Sequence, residues 1–314
     1  MTQLDPTPSN FRSTRPQQAH ARVLVAGLVR NGQEQVAADV RRLQKALMDF
    51  ADVQWLLVES DSQDRTLDQL ELLRGQVPGF RYLALGCLRD RLPQRTARIA
   101  HCRNAYLELL EVDPAYADID FVLVADFDGI NTLIDAAGVQ SCWQRADWDV
   151  CTANQSGPYY DIWALRHELW SPNDCKASHQ FLVDGGLGHE AALEATVFSR
   201  MITIATDAPW IEVDSAFGGL AVYRRAVLRG LRYDGLTPSG AEVCEHVALH
   251  AAIRARGGRI FLNPRLVCSG RTEHTRPLRL VNKLARLTRQ ATKRVLAAVL
   301  PRRFAALLAH GGRS

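Results

Sequence analysis

Between residues 21 and 128 the chain alternates short apolar runs with longer amphipathic ones, and that alternation leaves few folds open. The stretch "ARVLVAGLVRNG" carries a buried strand over 23–28, turns at Arg30-Asn31-Gly32, and continues into a helical pattern over 34–50. A second strand, "VQWLLVES", is followed by a polar turn in which Asp64 or Ser62 can cap a helix over 67–75. "FRYLALG" supplies a third strand. A helix over 96–110 follows, with Ile99, Cys102, Tyr106 and Leu109 on its apolar face, and "IDFVLVADFD" supplies a fourth strand. Strand and helix in strict alternation predict an α/β fold with a Rossmann-like, mostly parallel sheet flanked by helices.

Beyond Asp128 the pattern loosens. Residues 148–154 and 210–225 have strand character and are separated by a long aromatic and polar stretch, while 241–256 is predicted as a helix that stops at Gly257-Gly258. "RIFLNPRLVCSG" closes the core as a last strand. Residues 21–274 therefore read as one domain of two unequal halves. Residues 1–20 are polar and rich in Pro, Ser and Gln, with no apolar core of a signal peptide, and are expected to form a loose tail.

Of 314 residues, 47% are hydrophobic and 23% charged, enough apolar content for a sizeable core and too much for general disorder. The net charge of +4 is unevenly spread: residues 275–314 hold ten Arg or Lys and no acid, which leaves residues 1–274 net negative. Within that tail Leu280, Leu284, Leu287, Ala291, Val295 and Ala298 recur near helical spacing, so a basic amphipathic helix lying on an anionic membrane is expected. No base-stacking motif accompanies the basic residues, so no nucleic-acid partner is expected. Seven scattered cysteines without a CxxC pair fit free thiols in a reducing cytosol, and no uncharged stretch reaches membrane-spanning length. The expected location is the cytoplasm, at the inner face of the plasma membrane.

Chemistry concentrates where the predicted strands end. Ligands of open α/β sheets bind beyond the carboxyl ends of the strands. Arg30-Asn31, Glu59-Ser60-Asp61 and Asp126-Phe127-Asp128 all fall there. Strand alternation would put Asp126 and Asp128 on one side, where both can reach one hard divalent cation that also bridges a diphosphate. The competing explanation is that one aspartate caps the next turn and the other is merely solvated.

Together, "AGLVRNG", "VESDSQDRT", "RTARIAHCRNAYL", "VLVADFDGIN", "YYDIWALRHE" and "FGGLAVYRR" resemble the fungal capsule-associated α-1,3-mannosyltransferases and their bacterial relatives, nucleotide-sugar glycosyltransferases of the GT-A type. The resemblance spans about residues 22–274 and leaves the tail outside. It implies Mn2+ or Mg2+ held by Asp126 and Asp128, with His274 as a late third ligand or diphosphate contact. It also implies a nucleotide-sugar donor, plausibly GDP-mannose, whose nucleoside meets Glu59 and Asp61 beside Arg30 and Asn31. Arg98 and Arg103 can neutralise diphosphate oxygens, since a guanidinium suits paired oxygens.

Tyr160, Asp161, Trp163 and Arg166 mix rings and charges in the manner of carbohydrate sites. Phe217-Gly218-Gly219 marks a bulge or a close approach by ligand at the border of donor and acceptor. Glu242 and Glu245, three apart on the predicted helix, share a face. Asp161 and Glu245 are the candidate catalytic carboxylates, and because the resembled family is retaining, Glu245 would orient the acceptor or act on the β-face of the sugar. His246 and His250 have i, i+4 spacing, but the glutamate precedes the first histidine, so no zincin motif is present and two surface histidines are expected.

The expected activity is transfer of a hexose to a surface-glycan or lipid-linked glycan acceptor. Two alternatives stand beside it. A nucleotidyltransferase would need a Gly- and Lys-rich triphosphate loop after the first strand, of which "GLVRNGQ" is a poor version. A non-catalytic scaffold recruited to membranes by the basic tail would need no nucleotide at all.

Overall fold

The computed structural model describes residues 20–270. The N-terminal tail, the basic tail and His274 lie outside the described residues. One eight-stranded sheet organises the chain. Its strands are β1 (Arg22–Val29), β2 (Asp52–Glu59), β3 (Phe80–Ala84), β4 (Phe121–Asp126), β5 (Val150–Gln155), β6 (Ile211–Val213), β7 (Leu220–Arg224) and β8 (Ile260–Ser269). The helices are α1 (Val36–Ala46), α2 (Thr66–Gln76), α3 (Arg95–Val112), α4 (Ala136–Ser141), α5 (Cys175–Asp184), α6 (His189–Thr196), α7 (Arg225–Leu228) and α8 (Glu245–Ala255).

The strand order is β3-β2-β1-β4-β7-β5-β8-β6. β1 to β4 pair in parallel, as the strand–helix alternation predicts, and β5 pairs in parallel with β8. β7 runs antiparallel between β4 and β5, and β6 is an antiparallel edge. The sheet is thus mixed, with the antiparallel members in the half where the sequence pattern was weak.

Side chains of the central strands sort to two faces by alternation. Leu24, Ala26, Val122 and Val124 pack beneath α3 and α8 with Tyr106, Leu110, Leu249 and Ile253. Val23, Val25, Leu123 and Ala125 pack against α1, α2 and α4 through Val36, Val40, Leu43, Leu70 and Val139. Each such Val, Leu or Ile side chain, fully removed from water, stabilises the fold by about 1.5–3 kcal/mol.

Several boundaries differ from the sequence reading. α1 begins at Val36 and ends at Ala46, four residues before Phe50. The segment 210–225 is not one strand: it breaks at 214–219 so that β6 and β7 occupy distant places in the sheet. α8 begins at Glu245, not at 241, because Glu242 is drawn into a bridge with Leu236. Its end is as read, with Gly257 at φ +81° and the Gly258 amide donating to the Ile253 carbonyl. The sequence reading placed no helix at α4, α5 or α6. α5 and α6 lean chiefly on each other, so they have no need of an apolar stripe aimed at the sheet.

Candidate active site

The parallel strands deliver their carboxyl ends to one edge. Register pairs Val29 with Glu59 and Glu59 with Ala84, and sets Asp126 opposite Leu28. Because β7 is antiparallel and starts at Leu220 opposite Ala125, the Phe217-Gly218-Gly219 turn enters the sheet at that same edge. Three groups of side chains collect there.

The first is the end of β4. β4 stops at Asp126, so Asp128 is not placed by strand alternation; it sits in the following turn, exposed, with its Oδ1 accepting the Ile130 amide at 3.1 Å. The turn-capping explanation is therefore correct for Asp128, and leaves its second oxygen uncommitted by that bond. Between the aspartates Phe127 is buried, and its ring lies over β1 at Gly27, where an added Cβ would come within 2.4 Å of Phe127 Cε2 and 2.3 Å of the Ala125 carbonyl. The Asp126 amide donates to the Gly219 carbonyl, and Asn131, wholly buried, sends its Nδ2 to the carbonyls of Asp126 (2.8 Å) and Gly219 (3.3 Å). Asn131 was missed by sequence reasoning.

Arg103 reaches this place from α3. It is 4% exposed; its Nε donates to Glu245 Oε1 at 2.9 Å and its Nη2 lies 3.5 Å from Asp126 Oδ1. The guanidinium sits 5.3 Å from the Phe217 ring and 5.5 Å from the Tyr233 ring. Its Nη1 is buried with no protein partner. Asp161 faces Asp126 electrostatically while its own oxygens accept the amides of Gly218 (2.9 Å) and Ala164 (3.4 Å).

The Phe217-Gly218-Gly219 turn owes its glycines to the protein itself. Gly218 (φ +72°) would place a Cβ 2.8 Å from Gln155 Nε2 and 2.9 Å from the Ala153 carbonyl, and Gly219 (φ +93°) would place one 3.1 Å from the Tyr160 hydroxyl. The close approach foreseen there as a ligand's is made by β5 and by Tyr160.

Electrostatics mark this group out. Burial, and then the carboxylates of Asp128, Glu245 and Asp161, push the Asp126 carboxyl up to about 8 against the lowering effect of Arg103. Asp126 and Glu245 share the Arg103 guanidinium, and Asp128 and Asp161 add their charge beside Asp126. Their donor chemistry, hard oxygens in negatively charged surroundings, would suit a divalent cation, with Asp126 and Asp128 as the residues that would hold it. Among the described residues no three His, Cys, Asp or Glu side chains converge as a ready metal cage. A Mg2+-type site that borrows ligands from substrate needs only one or two carboxylates.

The second group joins the loops after β1, β2 and β3. The amides of Asn31, Gly32 and Gln33 donate to Ser62 Oγ, Thr66 Oγ1 and Asp64 Oδ2, and Asn31 Oδ1 accepts the Gln63 amide in return. Glu59, 3% exposed, accepts the Ser62 amide. Asp61, at φ +60°, accepts the amides of Leu88 and Arg89, which hold its carboxyl below the usual range although burial works against the charge. Arg98 lies 3.8 Å from Asp61 and donates to the carbonyls of Leu92 and Pro93, while the exposed Arg30 donates to the Asp61 carbonyl. Asp64, proposed as a helix cap, does accept the Thr66 amide at the start of α2.

The third group lies on the side of α5. Lys176 Nζ stands 3.1 Å over the Trp163 ring, so that face of the expected sugar platform carries a cation. Arg166 donates to the carbonyls of Trp163 and Leu165 and pairs with Asp174 at 2.6 Å, a positioning of its own loop and not a reach into the cleft. Glu242 does not share a helical face with Glu245. It accepts from the amide and hydroxyl of Thr96 and so caps α3 from outside, and those bonds hold its carboxyl below the usual range.

His246 and His250 are not surface residues. His246 is stacked on Phe217 at 3.9 Å, and His250 bonds Ser215 Oγ through Nδ1 and the Tyr223 hydroxyl through Nε2, each at 2.9 Å. Both sit 2% exposed or less, and desolvation followed by the charge of Arg103 pushes His250 down to about 3 and His246 well below its ordinary value. Burial beside Arg103 favours the uncharged form of both, and a hydroxyl on each ring nitrogen of His250 ties it into the core.

No protein-family model and no curated protein matches the sequence. Among solved structures, the chain is similar to residues 1–349 of Staphylococcus aureus TarS at 15% identity and TM-score 0.44, covering 80% of this chain and 60% of that one. It therefore spans about 60% of the length of that structure. It is similar to glucosyl-3-phosphoglycerate synthase from Mycobacterium tuberculosis at 16% identity and TM-score 0.42, covering 90% of this chain and 81% of that one. It is also similar to the mannosyltransferase PcManGT from Pyrobaculum calidifontis at 16% identity and TM-score 0.43, covering 93% and 79%.

Proposed function

We propose that the chain is a metal-dependent glycosyltransferase of the GT-A kind, moving a hexose from a nucleotide-sugar donor to a surface-glycan or lipid-linked acceptor. The observation that carries this reading is the Asp126/Asp128 pair at the carboxyl end of β4, set beside Arg103, Glu245 and Asp161 and surplus in negative charge. A divalent cation bound there would supply charge stabilisation for a departing nucleoside diphosphate. The chain's own residues supply the rest. Arg103 holds Asp126 and Glu245 in place and sets a positive charge beside them. Glu59 and the 30–33 and 61–66 loops form a rigid rim toward the nucleoside.

The finer reading follows the quoted motifs: GDP-mannose as donor and retention of anomeric configuration. Glu245, 6% exposed and ion-paired to Arg103, is poorly disposed to take a proton from an acceptor hydroxyl, which favours a role in positioning over that of a general base. A place at the inner membrane surface rests on the basic tail alone; no helix among the described residues is long and apolar enough to cross a membrane.

One observation weighs against the nucleotidyltransferase alternative. The amides of Asn31, Gly32 and Gln33, which would have to cradle a triphosphate, are already donated to side chains of the next loop. The test is thermal unfolding of the full chain with GDP, UDP, GDP-mannose or UDP-GlcNAc in Mn2+, Mg2+ or EDTA, followed by detection of the released nucleotide. Stabilisation by a nucleoside diphosphate only with metal, lost in Asp128→Ala, supports the reading. No shift with any nucleotide would return the scaffold alternative to the front, and pyrophosphate release from a triphosphate would favour the nucleotidyltransferase.

A further inference from the structure

We infer that Asp39, a residue of α1 with no place in the proposed chemistry, is a positioning residue for the cation site, anchoring the Asp126–Asp128 turn and thereby setting its affinity for a divalent ion. The inference deepens the proposed function and rests on it.

Asp39 lies on the buried stripe of α1 with Val36, Val40, Leu43 and Ala46 and is 0% exposed. A carboxylate in such a stripe is costly to desolvate, and an aliphatic residue would serve the packing better. Its Oδ2 accepts the Gly129 amide at 2.9 Å, and its Oδ1 is paired with Arg42 Nη1 at 2.6 Å. Gly129 is at φ +85°, where the backbone turns away from β4. The two amides that follow Asp128 are thus each held by a carboxylate, Gly129 by Asp39 and Ile130 by Asp128 itself. Asp128 is exposed and one of its oxygens is turned back to the Ile130 amide, so the orientation of the other follows where the neighbouring Gly129 is pinned. α1 starts directly after the 30–33 loop, so the same helix that carries Asp39 also carries the rim on the nucleoside side. Partners that orient metal-binding groups typically change metal affinity by 10- to 100-fold when removed.

The experiment measures Mn2+ binding to the full-length protein by the electron paramagnetic resonance signal of free Mn2+, in the presence of GDP and separately of UDP, together with nucleotide affinity at saturating Mn2+. Asp39→Ala is expected to raise the half-saturating Mn2+ concentration on the order of 10-fold, with nucleotide affinity at saturating metal unchanged. Asp39→Asn, which keeps an acceptor oxygen for Gly129, should restore the wild-type midpoint. Should Asp39→Ala fail to fold, Asp39→Glu decides: it keeps the charge and the Arg42 pair but pushes Gly129 outward, and it should raise the Mn2+ midpoint. A folded Asp39→Ala or Asp39→Glu protein with the wild-type Mn2+ midpoint overturns the inference while leaving the proposed function standing. A wild-type protein that binds neither nucleotide with Mn2+ overturns both.

Discussion

Arg103 and Glu245 form an ion pair of 2.9 Å in which both side chains are less than a tenth exposed, and the same guanidinium extends toward Asp126. α3 and α8 are thereby joined by charge under the end of β4. Removing one partner leaves the other buried and uncompensated, so Arg103→Ala should lower stability by about 3–5 kcal/mol. Urea unfolding followed by circular dichroism measures it; a loss under 1 kcal/mol, on the scale of surface pairs, would show that the pair is solvated in solution.

Asp128→Asn separates function from stability. The amide keeps an oxygen for the Ile130 N–H and the position is exposed, so unfolding should change within about 0.5 kcal/mol. Metal-dependent stabilisation by a nucleoside diphosphate should nevertheless disappear. Retention of that stabilisation in calorimetric titrations would remove Asp128 from the cation site.

Gly27→Ala probes how β1 supports the turn. Its Cβ would collide with the Ala125 carbonyl and the Phe127 ring, so overpacking should cost about 1–3 kcal/mol. Because Phe127 stands between the two aspartates, nucleotide binding with Mn2+ should weaken as well. A variant as stable as wild type would mean that Phe127 finds another rotamer at no cost.

Between pH 7 and 5 two opposed titrations act on stability: the buried histidines lower it as acid is added, whereas Asp126, whose folded value of about 8 lies above the unfolded value of about 3.9, raises it over the same range. His250 faces Ser215, Tyr223, His246 and Arg103, and its folded pKa of about 3 lies below the unfolded value of about 6.5. The unfolded chain therefore binds a proton that the folded chain refuses once pH drops below about 6.5, and the histidine contribution to stability declines from there toward pH 3 at up to about 1.4 kcal/mol per pH unit for each such histidine. His246 adds to the slope in the same direction. In denaturation series between pH 7 and 5, His250→Gln should remove the His250 share of the slope, so that the variant gains stability relative to wild type as pH falls, by up to about 1.4 kcal/mol per pH unit. An equally steep series in that variant would assign the effect elsewhere.

Glu242→Gln tests a cap that only the fold creates. The start of α3 has no cap from its own N-terminal flank, and Glu242 satisfies the Thr96 amide from 146 residues away. Loss of the charge at a helix N-terminus should cost about 0.5–1 kcal/mol. No change in unfolding free energy would make the contact incidental.

What could be read from the residues follows the range of the interactions. The apolar run ending in Asp126 announced a strand that delivers an acid to the sheet edge, and it does. Asp39 also left a trace, a lone acid on the apolar stripe of α1, visible once the period is counted. By contrast, nothing near His246 and His250 tells that they are buried, because the groups that enclose them, Ser215, Phe217 and Tyr223, are brought by other elements. Arg166 and Trp163 looked free for a ligand in a segment without period, while their partners, Asp174 and Lys176, are supplied by the start of α5.

The sequence by itself determined the first half: local periodicity and turn chemistry place β1 to β4 and their helices, since each decision there is settled within a dozen or so residues. Tertiary structure alone decided that β7 runs antiparallel beside β4, that Phe217-Gly218-Gly219 meets Asp126, and that Arg103 serves Glu245 and Asp126 together. The physical reason is that strand direction and burial of charge are settled by which surfaces exclude water from one another. Residues separated by 23 and 142 positions meet at one guanidinium, and no local pattern encodes that meeting.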